Sequence, residues 1–381
     1  STPLYSSAAS DVYKRQVVYS MTSKTTAASM IPIIFTSGLF VSSFISNYIY
    51  QYFTQKQVLW IFQGLKLVSL SIIASLLIFE ESPIFIFILL FINALFDGFT
   101  NPIKNAMIPF IEKKEYITSA NALMNMMSSM VQLSTWALGG FLMSLIGAKY
   151  LFLFALVLEI LSYFFIIQLS ERHIYNNEKE NILNSFKTVL RHNYSNKLSL
   201  YLNLSIIFES VATSIWVAAI ILTYTRTFLH VDDFWFGLIN AAFFSGTIIA
   251  GLWMNDKDQF FTKISYPIII YIPLILAFIN ASFILHQSVL LALLMSLLMG
   301  IFEDSRYISL NSVVQREVPK EALTSTYILN NLLSSIFFSL GTLGISLVVD
   351  NQGVMWAYVI SSVAYVLTFV LGLYFKTAIK N

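Results

Sequence analysis

Seven ionisable side chains in this chain, Lys66, Asp97, Glu159, Glu209, Glu303, Asp304 and Arg306, fall in or near the middle third of long apolar runs, and Lys104 lies nearer the end of one. At the centre of a bilayer an ionised group costs at least ~2.5–3.5 kcal/mol on insertion scales, so it persists mainly where it handles protons, ions or charged substrates. The chemistry available to these residues is proton exchange and charge attraction. Bond-making enzymes need other constellations. Only four His are present (His173, His192, His230 and His286), scattered among loops and run ends, and Cys is absent. No G-x-x-x-x-G-K-S/T sequence occurs, so a P-loop ATPase is excluded. No cofactor is expected, no metal set is expected, and the chain is not expected to be an enzyme.

Asp97 and Glu303 form the most informative pair. Each follows a Phe (Phe96, Phe302) and they are 206 residues apart, the spacing of an internal repeat. Two acids at matched depth suit proton or cation coupling. Asp97 has no base three or four places away, and Lys66 is its expected partner. Glu303 and Arg306 are spaced i,i+3, which also permits static neutralisation on one helix face. Glu209 has no base near it in sequence and joins the coupling or substrate candidates Asp97, Glu303, Arg306 and Lys66. Lys104 can snorkel as an anchor; Glu159 is expected in a peripheral helix, and Asp304 has no assigned place.

The elements holding these residues follow from composition. Hydrophobic residues make up 57%, charged residues 11%, and mean hydropathy is +0.73, whereas soluble domains carry about 25% charged residues. Apolar runs long enough to span a bilayer lie at about 29–50, 57–79, 83–110, 119–146, 149–170, 198–224, 233–254, 264–285, 287–314, 323–349 and 353–376. Without β-like alternation these read as eleven helices, hence an all-α membrane protein whose partner is the lipid bilayer. The net charge of +2 gives no indication of nucleic-acid binding. Fourteen Lys and Arg gather in the connections on one side, among them Lys56, Lys113, Lys114, Lys257 and Arg316. Lys24, Lys149 and Arg226 lie on the other. The richer side is expected in the cytoplasm, with the C-terminus.

The chain is internally duplicated. Ser37-Gly38, Asn47, Gln51, Phe53 and Thr54 recur 208 residues later as Ser245-Gly246, Asn255, Gln259, Phe261 and Thr262. Phe96–Ser129 laid on Phe302–Ser335 agrees at 10 of 34 positions. Duplicated halves in a membrane protein point to a transporter with its substrate site between them. The helix at 198–224 then requires a counterpart near the N-terminus, where residues 1–16 are polar and read as a non-native leader. The expected organisation is 1–16 leader, 17–170 first bundle, 171–197 polar cytoplasmic linker with amphipathic character, and 198–381 second bundle. A complete form would hold six helices per half.

Local motifs sharpen this. Pro102-Ile-Lys-Asn-Ala-Met-Ile-Pro109, then Glu115 and Ser119-Ala-Asn-Ala-Leu123, resembles the P-A-R-x-A-x-I-P…E…A-N-A-L run of the macrolide-efflux and siderophore-export branch of the major facilitator superfamily. Val314-Gln-Arg-Glu-Val-Pro-Lys-Glu321 resembles its second-half counterpart. The superfamily's G-x-x-x-D-R-x-x-R-K loop falls on Asn47 to Lys56, where Asn47 replaces Gly, Gln51 replaces Asp, and Lys56 survives. The resemblance implies a conformational loop at Asn47, Gln51 and Lys56, echoed at Asn255 and Gln259. The antiporter signature falls on Thr135 to Gly140, where Gly139 and Gly140 remain as helix-packing residues and Thr135 and Trp136 replace Gly and Pro.

The resemblance implies two six-helix bundles rocking about a central site, with protons as the coupling ion and an amphipathic or hydrophobic small molecule as substrate. A siderophore or other metabolite exporter is the alternative within the fold; a non-transporting fragment or a membrane-embedded enzyme is the alternative outside it. A monomer in a bacterial plasma membrane is expected, the source being read from Lys outnumbering Arg 16 to 6.

Overall fold

The computed structural model describes residues 25–78, 83–111, 113–168, 184, 187, 190–191, 197–216 and 218–376. The predicted leader at 1–16 and most of the predicted linker at 171–197 lie outside them. Every regular element among the described residues is helical: α1 Thr25–Ile49, α2 Gln55–Ile78, α3 Pro83–Ile111, α4 Ile117–Ile167, α5 Lys197–Thr213, α6 Ala218–Thr223, α7 Asp233–Asp256, α8 Asp258–Ser282, α9 Val289–Glu317, α10 Lys320–Gln352 and α11 Met355–Tyr374. Six stretches among them are long and apolar enough to cross a membrane: Gln55–Ile73, Lys197–Trp216, Phe234–Asp256, Asp258–Ser282, Ala322–Gln352 and Met355–Tyr374. α9 falls outside this set because Glu303, Asp304 and Arg306 lie together in it.

Helix limits follow local chemistry. α2 opens with a capping box: the Gln57 amide donates to Thr54 Oγ1 at 3.2 Å, and the Thr54 amide donates to Gln57 Oε1 at 2.9 Å. α10 ends at Gly353, whose φ of 95° suits a residue without a side chain. One expectation is corrected. The runs at 119–146 and 149–170 form a single 51-residue helix, α4. The intervening Gly147-Ala148-Lys149 contains no Pro, and a lone Gly costs a helix only about 1 kcal/mol.

The described chain clusters into two compact units. The first comprises Ser1–Phe110, Ser134–Arg191 and Lys320–Ser335; the second comprises Ile111–Leu133, His192–Pro319 and Ile336–Asn381. The segment taken from the first half, 111–133, and that taken from the second, 320–335, overlap when shifted by the 206-residue repeat. The duplication is thus visible in how the units are composed.

It is visible in packing as well. In the first unit a Cβ on Gly38 of α1 would stand 2.7 Å from Ala94 Cβ and 2.8 Å from the Phe91 carbonyl of α3. In the second, a Cβ on Gly246 of α7 would meet the Leu297 carbonyl at 2.1 Å, and one on Gly300 of α9 the Phe243 carbonyl at 2.0 Å. Gly38 and Gly246 are repeat equivalents, as are Ala94 and Gly300. Small residues let these backbones touch, the usual basis of helix association in lipid.

Around these contacts the first unit packs Val58, Leu59, Phe99, Ile103 and Ile166. The second builds a larger core in which Tyr224, Phe283 and Tyr358 meet within 4.9–5.8 Å between ring centres. Outward positions are apolar too: Phe278 is 69% exposed and Leu290 71%. In water so much bare hydrocarbon would drive aggregation; in lipid it is the solvated surface.

Candidate functional site

Charged groups inside the first unit are gathered by three helices. On α2, Gln63, Lys66 and Ser69 recur every three residues and share a face. On α3, Asn93 and Asp97 are spaced i,i+4. Lys66 Nζ donates to Asp97 Oδ1 at 2.8 Å, and both side chains are buried. Asn93 donates to Ser69 Oγ and, at 2.9 Å, to the Leu89 carbonyl of its own helix. From α4, Glu159 approaches the same ammonium at 3.6 Å and accepts from Gln63 Nε2. Asp97 and Lys66 therefore meet as the sequence led one to expect. Glu159, expected at the periphery, is wholly buried beside them. Lys104 donates to Asn101 Oδ1 at 3.2 Å, one turn back along α3.

The second unit solves the same problem with an arginine. Arg306 of α9 donates through Nη1 to Glu209 Oε2 of α5 and through Nε to the Ile269 carbonyl of α8 at 3.2 Å. The Tyr201 hydroxyl donates to the same carbonyl at 3.3 Å. Arg306 can be held this way because its planar fork offers several donors at fixed angles. Its ion pair runs to Glu209 rather than to Glu303, one turn away on its own helix. Glu303 lies within electrostatic reach of Glu209, Asp304 and Arg306, and its Oε2 is buried with no hydrogen-bond partner among the described residues. Asp304 Oδ1 receives only a long contact, 3.4 Å, from Asn125 Nδ2. Both acids are thus left with unmet acceptor capacity, Glu303 near a guanidinium already engaged and Asp304 facing Asn125.

A third polar group belongs to the second unit and joins the start of α4 to second-half helices. The Ser119 amide, in the first turn of α4, donates to Asp258 Oδ1 at 2.9 Å, while its hydroxyl donates to Asn255 Oδ1. The Thr118 and Thr262 hydroxyls share a hydrogen bond at 3.0 Å. Asn121 Nδ2 donates to Gln315 Oε1 at 2.7 Å and to Ser312 Oγ at 3.2 Å. A carboxylate accepting from an unpaired amide at a helix start is favoured by the helix dipole as well as by the bond. Sequence reading named Asn255 in this group but missed Asp258, Ser119, Asn121 and Gln315. The A-N-A-L motif around Asn121 was the available signal.

Gln259, the repeat partner of Gln51, is exposed, whereas Gln51 is buried. Lys56 lies in the first turn of α2. Asn47 sits near the end of α1, and Gly139 and Gly140 sit within α4; how these three pack lies outside the described residues.

Comparison with known proteins bears on the fold and the family. The family pattern of the Major Facilitator Superfamily matches residues 17–342. The chain is 24% identical over 303 residues to the uncharacterized MFS-type transporter YfmI of Bacillus subtilis (strain 168), covering 77% of this chain and 73% of that protein. It is also 24% identical over 294 residues to YjbB of the same organism, covering 76% and 70%. Among solved structures, a bacterial homologue of the iron transporter ferroportin in an outward-facing state superposes with a TM-score of 0.77 at 14% identity, over 99% of this chain and 98% of that one. The E. coli fucose:proton symporter FucP gives 0.74 at 12%, over 98% and 96%. At such identities the likeness to solved structures carries the fold alone. The family match and the buried charges of an all-helical, multi-pass membrane chain lead to one conclusion: this protein belongs to the Major Facilitator Superfamily and is a transporter rather than an enzyme.

Proposed function

We propose that the chain is a proton-driven exporter of amphipathic or hydrophobic small molecules that works by alternating access. The observation that carries this reading is the Lys66–Asp97 pair, a carboxylate and an ammonium shielded together inside an apolar bundle. A carboxylate held there can trade its counter-ion for a proton, and that exchange is the chemical step proton coupling requires. Glu209, Glu303 and Arg306 offer a second such assembly. Trp216 and Phe243, with ring centres 4.8 Å apart, supply the aromatic faces that would receive an apolar cation.

Export is supported by the resemblance of Pro102–Pro109 and Val314–Glu321 to the macrolide-efflux and siderophore-export branch. The excess of Lys and Arg on one side favours a C-terminus inside, and Lys outnumbering Arg 16 to 6 favours a bacterial plasma membrane. The polar group at Ser119, Asn255 and Asp258 lies among the Lys-rich connections and would close the cytoplasmic end. A siderophore or other metabolite exporter is the second reading, favoured by the same motif. The unit of transport is taken to be the monomer.

The test is accumulation of a fluorescent lipophilic cation in a pump-deficient bacterium expressing the chain, with and without a protonophore. Low dye that rises with protonophore, and with Asp97→Asn, is the expected result. Dye equal to the empty vector at matched membrane levels overturns the amphipathic-substrate reading.

A further inference from the structure

The second unit holds more negative charge than its arginine balances. Glu209 and Glu303 both act on Arg306, and the ion pair is made with Glu209 Oε2. Glu209 Oε1 and Glu303 Oε2 are buried with no hydrogen-bond partner among the described residues. A third orphan lies with them. The hydroxyl of Tyr365, on α11, is buried without a partner among the described residues, its residue only 1% exposed, and the charges acting on it are those of Glu303, Glu209 and Arg306. Aromatic faces stand to one side of this group. Arg306 Nη2 reaches the Tyr201 hydroxyl at 3.5 Å, two turns before Glu209 on α5, and Trp216 lies two turns after Glu209. Trp216 packs on Phe243, whose carbonyl meets α9 at Gly300, one turn before Glu303. The aromatic pair is thus displaced from the carboxylates in one direction along α5 and α9, by about 10 Å along α5 at 1.5 Å per residue.

We propose that Glu303, Glu209 and Tyr365 form the seat of a protonated amine, so that the transported molecule carries an N–H-bearing ammonium head and an apolar body lying toward Trp216 and Phe243. A primary ammonium brings one positive charge and three N–H donors. It offsets the surplus carboxylate, which is strongly unfavourable when buried without a counter-charge. It also offers a donor to each of the three orphaned oxygens, whereas a lone proton on Glu303 supplies one. Hydrogen bonds between ionised partners are the stronger class, so the seat selects for N–H as well as for charge. A quaternary ammonium has the charge without the N–H, and its methyl groups hold the nitrogen away from the oxygens. The inference deepens the amphipathic-substrate reading above and rests on it for the transport step.

The test measures binding to the full chain in lipid nanodiscs at neutral pH, where alkylamines are protonated, with empty nanodiscs as the reference for partition into lipid. Three probes share one body: phenylbutylamine, its trimethylammonium counterpart and phenylbutanol. The amine is expected to bind at least roughly tenfold tighter than either of the others. Glu303→Gln should abolish that preference, and Tyr365→Phe should reduce it. Without a probe, Glu303→Gln should unfold at or above the wild-type temperature, because it relieves a buried charge that lacks a counter-charge. A clear fall would make Glu303 a structural partner and overturn the seat. Equal affinity for the amine and the trimethylammonium, a preference that survives Glu303→Gln, or no binding of the amine overturns it as well. None of these readouts uses dye export or a protonophore, so failure of the export assay with the amine preference intact would count against the proposed function alone.

Discussion

Arg306 reaches from α9 to Glu209 on α5, and not along its own helix to Glu303. The consequence is a cross-link between α5, α8 and α9, because the same guanidinium also holds the Ile269 carbonyl at 3.2 Å. Removing one member of a buried pair typically costs about 3–5 kcal/mol. Glu209 keeps a side-chain exposure of 20%, which moves the expected loss to the lower part of that range. Arg306→Gln and Glu209→Gln should each lower the unfolding temperature in detergent or nanodiscs. The double variant, left with two amides that can bond each other, should be more stable than the sum of the single losses predicts.

The contact between α7 and α9 allows no side chain. Gly246→Val or Gly300→Val would push a Cβ against a backbone carbonyl that cannot rotate away. Overpacking usually costs about 1–3 kcal/mol, and here the upper end or more is expected, seen as loss of monodisperse protein on size exclusion. Gly344→Ala is the contrast. Nothing lies within 4 Å of a Cβ there, and in mid-helix the change should stabilise by roughly 0.5–1 kcal/mol.

Ser119 and Asp258 carry a bond between the start of α4 and the start of α8. Asp258→Ala removes a charge-assisted acceptor worth about 1.5–3 kcal/mol. Because the chain contains no cysteine, Ala122→Cys is a clean reporter at a fully buried position packed against Gly251. Its alkylation rate should rise roughly 10- to 100-fold in the Asp258→Ala background. An unchanged rate would show that this bond does not hold the segment shut.

Tyr224 donates to the Phe283 carbonyl at 2.9 Å, and its ring packs on Phe228, Phe283 and Tyr358. Tyr224→Phe should cost about 0.5–1.5 kcal/mol, the net worth of one hydrogen bond. Tyr224→Ala should cost about 3–5 kcal/mol, because a large cavity opens in the aromatic core. Thermal unfolding of the two variants separates the hydroxyl from the ring.

Much of the fold was legible in the residues. Runs of about twenty apolar residues can only be satisfied as helices in lipid, and Gly38 visibly recurs at Gly246, each at a close helix approach in the structure. Asp97 and Lys66 were legible as partners because few bases lie at that depth. The break between 119–146 and 149–170 was misread, since Gly147-Ala148-Lys149 weakens a helix without stopping it. The Glu209–Arg306 pair was not legible because its members are 97 residues apart and a local i,i+3 alternative was in view. Glu159 was undervalued for the same reason: burial is a property of the packed helices, and no spacing within α4 reveals it.

Asp97 and Glu303 descend from one position in the ancestral half, yet they no longer live in the same surroundings. One is bound to a lysine contributed by its own half; the other stands beside an arginine already committed elsewhere. Duplication has therefore left a paralogous comparison inside a single gene, in which one acid is matched and its sibling is not. Evolution of one copy was free to proceed without dragging the other, so an inhibitor, a mutation or a change of substrate that engages one acid need leave no trace on its twin.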